Sequence, residues 1–135
     1  MTNLTLAQSY LRKAVDRLDI LDVLQRKGAY SDVVREAQEI VELASKGMLR
    51  AVGVEPPKFH DVGGLLQEHK GKYRDDVSRQ MERVASISKG LKKERELSFY
   101  GDIDFIPTEE YKLEDAQEAR EGAHFVVTLA KKVVK

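Results

Sequence analysis

The chain has 135 residues, no cysteine, and 23 basic against 23 acidic side chains. This length predicts one domain, spanning residues 1–135, with enough apolar surface to bury a core. The absence of cysteine excludes disulfide frameworks, thiolate zinc sites and cysteine nucleophiles, and the balanced charge gives no overall positive field for nucleic acid. Because no apolar stretch has the length of a membrane helix and the N-terminus lacks the apolar core of a secretory signal, we expect a soluble, cytoplasmic protein.

Two long helices are predicted in the first half of the chain, separated at Gly28 and ended by Gly53. Apolar side chains recur at spacings of three and four residues, which places them on one face of a helix. In the first helix these are Leu4, Ala7, Leu11, Ala14, Leu18 and Leu21. Ser31 is the predicted N-cap of the second helix.

The second half predicts a short helix over 61–69 with Asp61 as its N-cap, a long helix over 74–100, and a last long helix from Leu113. Between the last two lies a loop, 101–111, whose apolar side chains are expected to pin it to the core. They are Ile103, Phe105, Ile106 and Tyr111. The predicted fold is therefore all-α: an antiparallel up-and-down bundle of four long helices and one short helix.

Charge is unevenly distributed along the chain. Residues 70–95 carry nine basic and four acidic groups, whereas residues 96–121 carry two basic and nine acidic groups. The basic helix and the acidic segment are expected to lie side by side, as sequential elements usually do. Two alternatives are a basic groove for phosphates or RNA and a surface for a charged protein partner.

Candidate chemistry is sparse. The histidines at positions 60, 69 and 124 are scattered and form no metal-ligand motif, and no glycine-rich phosphate loop is present, so we expect no metal and no cofactor. Gly63 and Gly64, at the start of the short helix, are consistent with an anion site or with close helix packing. Three further glycines inside predicted helices indicate tight helix crossings within the chain or a seam between two copies. They are Gly47, Gly90 and Gly122.

Arg95 is the most informative residue, because it continues the apolar stripe of the helix over 74–100. That stripe is Val77, Met81, Val84, Ser88, Leu91 and Arg95. A buried arginine needs an acidic partner, unless it extends to solvent at the end of the stripe. We expect a partner in the acidic segment between Asp102 and Glu121, from the same chain or a second copy. We also predict that Arg95 lies at or beside a homodimer seam, with Tyr100 close by.

Four segments together resemble the HEPN domain family. They are Ala-Gln-Glu-Ile-Val-Glu-Leu-Ala-Ser-Lys over 37–46, Phe-His-Asp-Val over 59–62 followed by Leu65 and Leu66, Ser-Lys-Gly-Leu-Lys-Lys-Glu-Arg-Glu-Leu-Ser-Phe-Tyr-Gly-Asp over 88–102, and Tyr-Lys-Leu-Glu-Asp-Ala over 111–116. The resemblance covers nearly the whole chain. It implies a small up-and-down helical bundle, often a homodimer, that associates with minimal nucleotidyltransferases in prokaryotic toxin–antitoxin or defence pairs.

Many HEPN domains are metal-independent ribonucleases that use an arginine followed, a few residues later, by a histidine. In this chain Arg95 matches the arginine, but Tyr100 stands where the histidine is expected. Tyrosine has a pKa near 10 and is a poor base at neutral pH, whereas histidine titrates near 6.5.

Three hypotheses follow. The first is a non-catalytic HEPN module that binds a nucleotide or a nucleotidyltransferase partner; nucleotide and RNA are both among the expected ligands. The second is a degenerate ribonuclease that uses Arg95 and Tyr100, and the third is a purely structural dimer without a ligand. The candidate binding residues are Lys46, His60, Asp61, Arg95, Glu96 and Tyr100.

Overall fold

The computed structural model describes residues 3–56, 58 and 62–135. Regular structure in these residues is helical, and their one β-bridge joins Asp102 to Phe105. The helices are α1 (Asn3–Arg26), α2 (Tyr30–Ala51), α3 (Val62–Glu68), α4 (Asp75–Ser78), α5 (Met81–Phe99), α6 (Pro107–Glu110) and α7 (Leu113–Val133), with a 3₁₀ turn over Lys70–Lys72. The predicted all-α class and the four long helices are confirmed, but there are more short helices than the single one expected.

The four long helices run up and down in turn. Gly47, late in α2, packs on the backbone of Ala7, early in α1. Arg17, farther along α1, is ion-paired with Glu36, early in α2, with 3.7 Å between Nη1 and Oε2. The two helices are therefore antiparallel, and the contacts of α5 with α2 and of α7 with α5 show the same reversal of direction.

The core is centred on α2, which packs against α1, α5 and α7. Its amphipathic sequence places apolar side chains toward all three neighbours, because they occupy more than half of its circumference. The buried apolar residues of α2 are Val33, Val34, Ala37, Ile40, Val41, Ala44, Met48 and Leu49. The α5 side chains Met81, Val84 and Leu91 complete the core from one side, and a row of small residues in α7 completes it from another.

The predicted N-cap of the second helix is wrong. Ala29 occupies the N-cap position without a side-chain hydrogen bond, and Ser31 lies in the first turn of α2, where it is buried. Gly28 has φ +74°, a conformation that glycine adopts without steric cost, so the chain reverses in three residues between the two helices. Asp61, the expected N-cap of the short helix, lies outside the described residues.

The single helix expected over 74–100 is divided into α4 and α5. At the junction the amide of Gln80 donates to the carbonyl of Val77, a 3₁₀ bond, and the regular i to i−4 pattern resumes where Val84 donates to Gln80. Val77 and Met81, on either side of the junction, are both buried. The apolar stripe therefore continues through the break, which is why the spacing did not reveal it.

The segment after α5 is partly anchored, as expected. Tyr111 is buried and Phe105 packs against the core, with their rings edge to face at 5.7 Å between centroids. The expectation is wrong for Ile103, which is 90% exposed at the tip of the turn between Asp102 and Phe105, and for Ile106, which is also exposed. α6 follows this turn, so the segment is a turn and a short helix, and its anchors are the two aromatic rings.

Three glycines predicted to permit close approach do so within the chain: Gly47, where a Cβ would lie 3.3 Å from the Ala7 carbonyl oxygen, Gly63 and Gly122. A Cβ on Gly63 would lie 2.9 Å from the Ala85 Cα, and one on Gly122 would lie 3.0 Å from Ile87. Gly63 therefore serves the packing of α3 on α5. Gly90 is different, because a Cβ there would enter open space.

Among the residues that the structure describes, no helix is long and apolar enough to cross a bilayer.

Candidate functional site at the C-terminal end of α5

Arg95 lies near the C-terminal end of α5 and pairs with Glu39 of α2. Its Nη2 donates to Glu39 Oε1 at 3.0 Å, and its side chain is 41% exposed. Within the chain, the predicted partner in the segment between Asp102 and Glu121 is therefore wrong. The part-exposed position of Arg95 fits the alternative in which an arginine at the end of the stripe extends to solvent. The direction of α5 relative to α2 explains both results, because the end of α5 crosses the first half of α2 near solvent.

A second arginine shares the same carboxylate. Arg35 Nη2 lies 3.9 Å from Glu39 Oε1, and the Arg35 guanidinium carbon lies 4.5 Å above the centre of the Phe99 ring. Phe99 in turn contacts Tyr100 edge to face, at 4.8 Å between ring centres. We call these five residues the arginine–aromatic cluster. Because the guanidinium groups of Arg35 and Arg95 face the single carboxylate of Glu39, the cluster has a net positive charge.

Helical spacing assembles this cluster. Arg35 and Glu39 are four residues apart and therefore neighbours on one face of α2, and the same spacing relates Arg95 to Phe99 on α5. Because the helices are antiparallel, Arg95 meets Glu39 while Phe99 meets Arg35. Ser98, fully buried, donates from its hydroxyl to the Arg95 carbonyl and contributes to the end of the helix.

The exposed groups of the cluster suit a phosphate beside a base. Guanidinium groups recognise phosphate oxygens through paired hydrogen bonds, and exposed aromatic rings stack on bases. Phe99 is half exposed and Tyr100 is 71% exposed. The five residues of the cluster include no histidine, the residue that serves as acid or base in an arginine–histidine pair.

The other candidate residues are not gathered here. Lys46 lies two turns beyond Glu39 along α2, where it is ion-paired with Glu42 at 3.2 Å. Glu96 is exposed on the neighbouring face of α5. His60 and Asp61 lie outside the described residues. His124 is exposed on α7, and no group of three or more His, Cys, Asp or Glu side chains in the described part of the chain is arranged to hold a metal ion.

Sequence reasoning missed Arg35 and Glu39. Their i, i+4 spacing was visible, but such pairs are common on exposed helix faces and do not indicate which element covers them. Phe99 entered the sequence analysis only as part of the segment over 88–102. To predict that these residues meet, one would need to know how α5 crosses α2.

Comparison with known proteins identifies the family. The model of the HEPN domain matches residues 7–133, almost the entire chain. The chain belongs to the HEPN family. The crystal structure of an archaeal HEPN homologue has the same fold, with a TM-score of 0.71 over 96% of this chain and 98% of that one, at 22% sequence identity. Comparison with curated proteins gave no significant match.

Proposed function

We propose that this chain is a non-catalytic HEPN module that binds a nucleotide, free or as a unit of single-stranded RNA, at the arginine–aromatic cluster. The observation that carries the proposal is the pairing of Arg95 with Glu39 beside Arg35 and two exposed rings. Arg95 occupies the position of the family's arginine, and Tyr100 replaces the histidine that would act as acid or base. The positive charge needed for binding is present without the group needed for cleavage.

The test measures binding and cleavage together. We expect ATP or a labelled single-stranded RNA to bind, and we expect Arg95→Gln and Phe99→Leu to weaken binding severalfold. Arg12→Gln is the matched control, because Arg12 is an exposed arginine on α1 that is not part of the cluster. Comparison of ATP with RNA distinguishes a free nucleotide from a polymer. Equal binding by wild type and both cluster variants would overturn the proposal.

RNA integrity decides between binding and the alternative of a degenerate ribonuclease. We expect RNA to stay intact through a long incubation with the wild-type protein. Cleavage by wild type that is lost in Tyr100→Phe would instead support a ribonuclease that uses Arg95 and Tyr100.

We further propose that the module forms a homodimer at this end of the bundle. Four exposed apolar side chains lie close together in sequence beside the cluster, and burial of such a patch favours association. They are Phe99, Tyr100, Ile103 and Ile106. We expect Ile103→Asp and Arg95→Ala to weaken the dimer in analytical ultracentrifugation, whereas Val23→Asp, at an exposed apolar position on α1, leaves it unchanged. A strict monomer at high micromolar concentration would contradict this part of the proposal.

A minimal nucleotidyltransferase is the partner that we propose from family membership. Affinity purification from the native source, followed by identification of the bound proteins, tests it. Repeated failure to recover a nucleotidyltransferase would argue against this partner while leaving nucleotide binding open to its own test.

A further inference from the structure

A cavity of about 290 Å³ lies between α5 and α7. At one end the helices meet where Ile87 packs on Gly122. At the other end Tyr111 bridges them, because its hydroxyl donates to Glu94 Oε2 at 3.0 Å. With a contact at each end, the cavity is a short recess between the two helices, and its volume is that of a site for a small ligand.

The cavity combines an apolar floor with an acidic rim. Val34, Leu91 and Ala119 are buried beneath it. The rim carries the carboxylates of three residues, and no lysine, arginine or histidine is among the lining residues. These acids are Glu94, Asp115 and Glu118. None of the three forms an ion pair within the described residues. Asp115 accepts a hydrogen bond from the backbone N–H of Lys112 at the start of α7, and Glu94 accepts one from Tyr111, but no cationic side chain among the lining residues faces them.

Two further features describe this environment. Gly90 lines the cavity, and a Cβ there would meet no atom within 4 Å, so the missing side chain leaves room. The pKa of Tyr111 is raised, first by burial and then by its hydrogen bond to Glu94 and the charge of Asp115. A raised tyrosine pKa means that the surroundings oppose another negative charge.

We propose that this cavity binds a small aliphatic polyamine. Its methylene chain would lie on the apolar floor, and its ammonium groups would pair with the rim carboxylates. Ligand cavities typically combine an apolar surface with a few convergent polar groups, and three carboxylates favour a ligand with more than one positive charge. The volume of about 290 Å³ suits a small molecule better than a partner helix. This inference does not rest on the proposed nucleotide site, which lies farther along α5, where Arg95 pairs with Glu39 of α2.

Spermidine is the probe, titrated into ¹⁵N-labelled protein at about 0.15 M salt to screen weak surface attraction. We expect saturable shifts confined to the amides of residues 86–94 and 111–122. Shifts that do not saturate, or that concentrate in the acidic segment over 102–110, would overturn the proposal. A magnesium titration that reproduces the same shifts would also overturn it, because Mg²⁺ has no methylene chain to bury.

Three variants sharpen the test. Gly90→Leu adds a side chain at a position that lines the cavity and where a Cβ would meet no atom within 4 Å, and we expect it to raise the Kd for spermidine about tenfold or more. Glu94→Gln and Glu118→Gln keep the side-chain shape and should each raise the Kd severalfold. Glu121→Gln is the matched control on α7, because Glu121 does not line the cavity. Circular dichroism verifies that every variant is folded.

A lysine side chain of another protein has related chemistry, so a short lysine-containing peptide forms a separate arm. We expect spermidine to bind more tightly than the peptide. Tighter binding of the peptide at the same amides would overturn the assignment to a small polyamine, and unchanged spermidine affinity in Gly90→Leu would overturn the cavity as the site.

Discussion

Tyr73 donates a hydrogen bond from its hydroxyl to the backbone carbonyl of Met48, at 2.8 Å, in a buried position. Met48 lies in the last turn of α2, where carbonyl groups lose their regular helical partners. A side chain from the segment between α3 and α4 therefore satisfies a polar group at the end of the central helix. Burial also raises the pKa of the Tyr73 hydroxyl, so this group remains a donor at any ordinary pH.

Tyr73→Phe removes this hydrogen bond and leaves the Met48 carbonyl buried. We expect a loss of about 1 kcal/mol in the free energy of unfolding, the usual value for a neutral hydrogen bond. Urea denaturation measures it. Tyr30→Phe is the control, because Tyr30 is also partly buried against the core but makes no side-chain hydrogen bond to another described residue. Equal losses in the two variants would show that ring packing, and not the hydroxyl, is responsible.

Glu36 is expected to make stability depend on pH. Burial raises its pKa above the usual value of 4.5, although the neighbouring Arg17 acts in the opposite direction and Glu39 adds to the increase. The folded state then holds the Glu36 proton more tightly than the unfolded state. Stability from this group is greatest below pH 4.5 and is lost as the pH rises through the folded-state pKa.

Glu36→Gln removes this titration. The free energy of unfolding of the variant should increase relative to that of the wild type as the pH rises from 4.5 toward 7. Below pH 4.5 the difference between the two proteins should be smallest. Denaturant unfolding at several pH values measures the difference. Parallel curves for the two proteins would contradict the expectation.

Gly101→Ala should lower the free energy of unfolding by more than the left-handed backbone conformation alone would cost. Gly101 has φ +68°, and a Cβ there would lie 2.4 Å from the Phe105 carbonyl oxygen and 2.5 Å from Pro107 Cδ. Gly28→Ala is the matched control, since Gly28 has a similar φ but open space around it. The control should lose about 1 to 2 kcal/mol for the left-handed conformation, and Gly101→Ala should lose more. Thermal or urea unfolding ranks the two, and equal losses would show that the turn yields easily.

The pair of Arg95 and Glu39 is expected to contribute little to the stability of one protomer. Both side chains are more than one-third exposed. The coupling free energy of such exposed ion pairs is typically about 0.2 to 1 kcal/mol. A double-mutant cycle with Arg95→Ala and Glu39→Ala measures this coupling. A much larger value would mean that the pair is desolvated in solution, as it would be inside a dimer.

The sequence predicted the four long helices well because their apolar spacing and glycine ends are strong local signals. It did not predict the break at Gln80, where no glycine or proline stands and the apolar stripe continues through a 3₁₀ turn. Ser31 failed as an N-cap because its position is decided by packing, which buries it. Local pattern and tertiary packing favoured different outcomes at both places, and packing decided.

The candidate site, like the fold, was predicted only in part from the sequence. Arg95 was found from the apolar stripe of one helix and Tyr100 from the family pattern, and neither step needs knowledge of neighbouring elements. Glu39 was missed because the pairing depends on the angle and direction at which α5 crosses α2. Charge composition pointed to the acidic segment instead, since net charge over a stretch of chain carries no information about distance in the fold.

The central position of α2 bears on the order in which the protein is assembled. α1 and α2 are joined by a three-residue connection and share an extensive interface, so their contacts are local and fast to form. The face of α2 that meets α7 must wait until the far end of the chain has been synthesised. During translation, an emerging α1–α2 hairpin would therefore carry an uncovered apolar surface, and chaperone capture should be strongest on nascent chains that stop before α7.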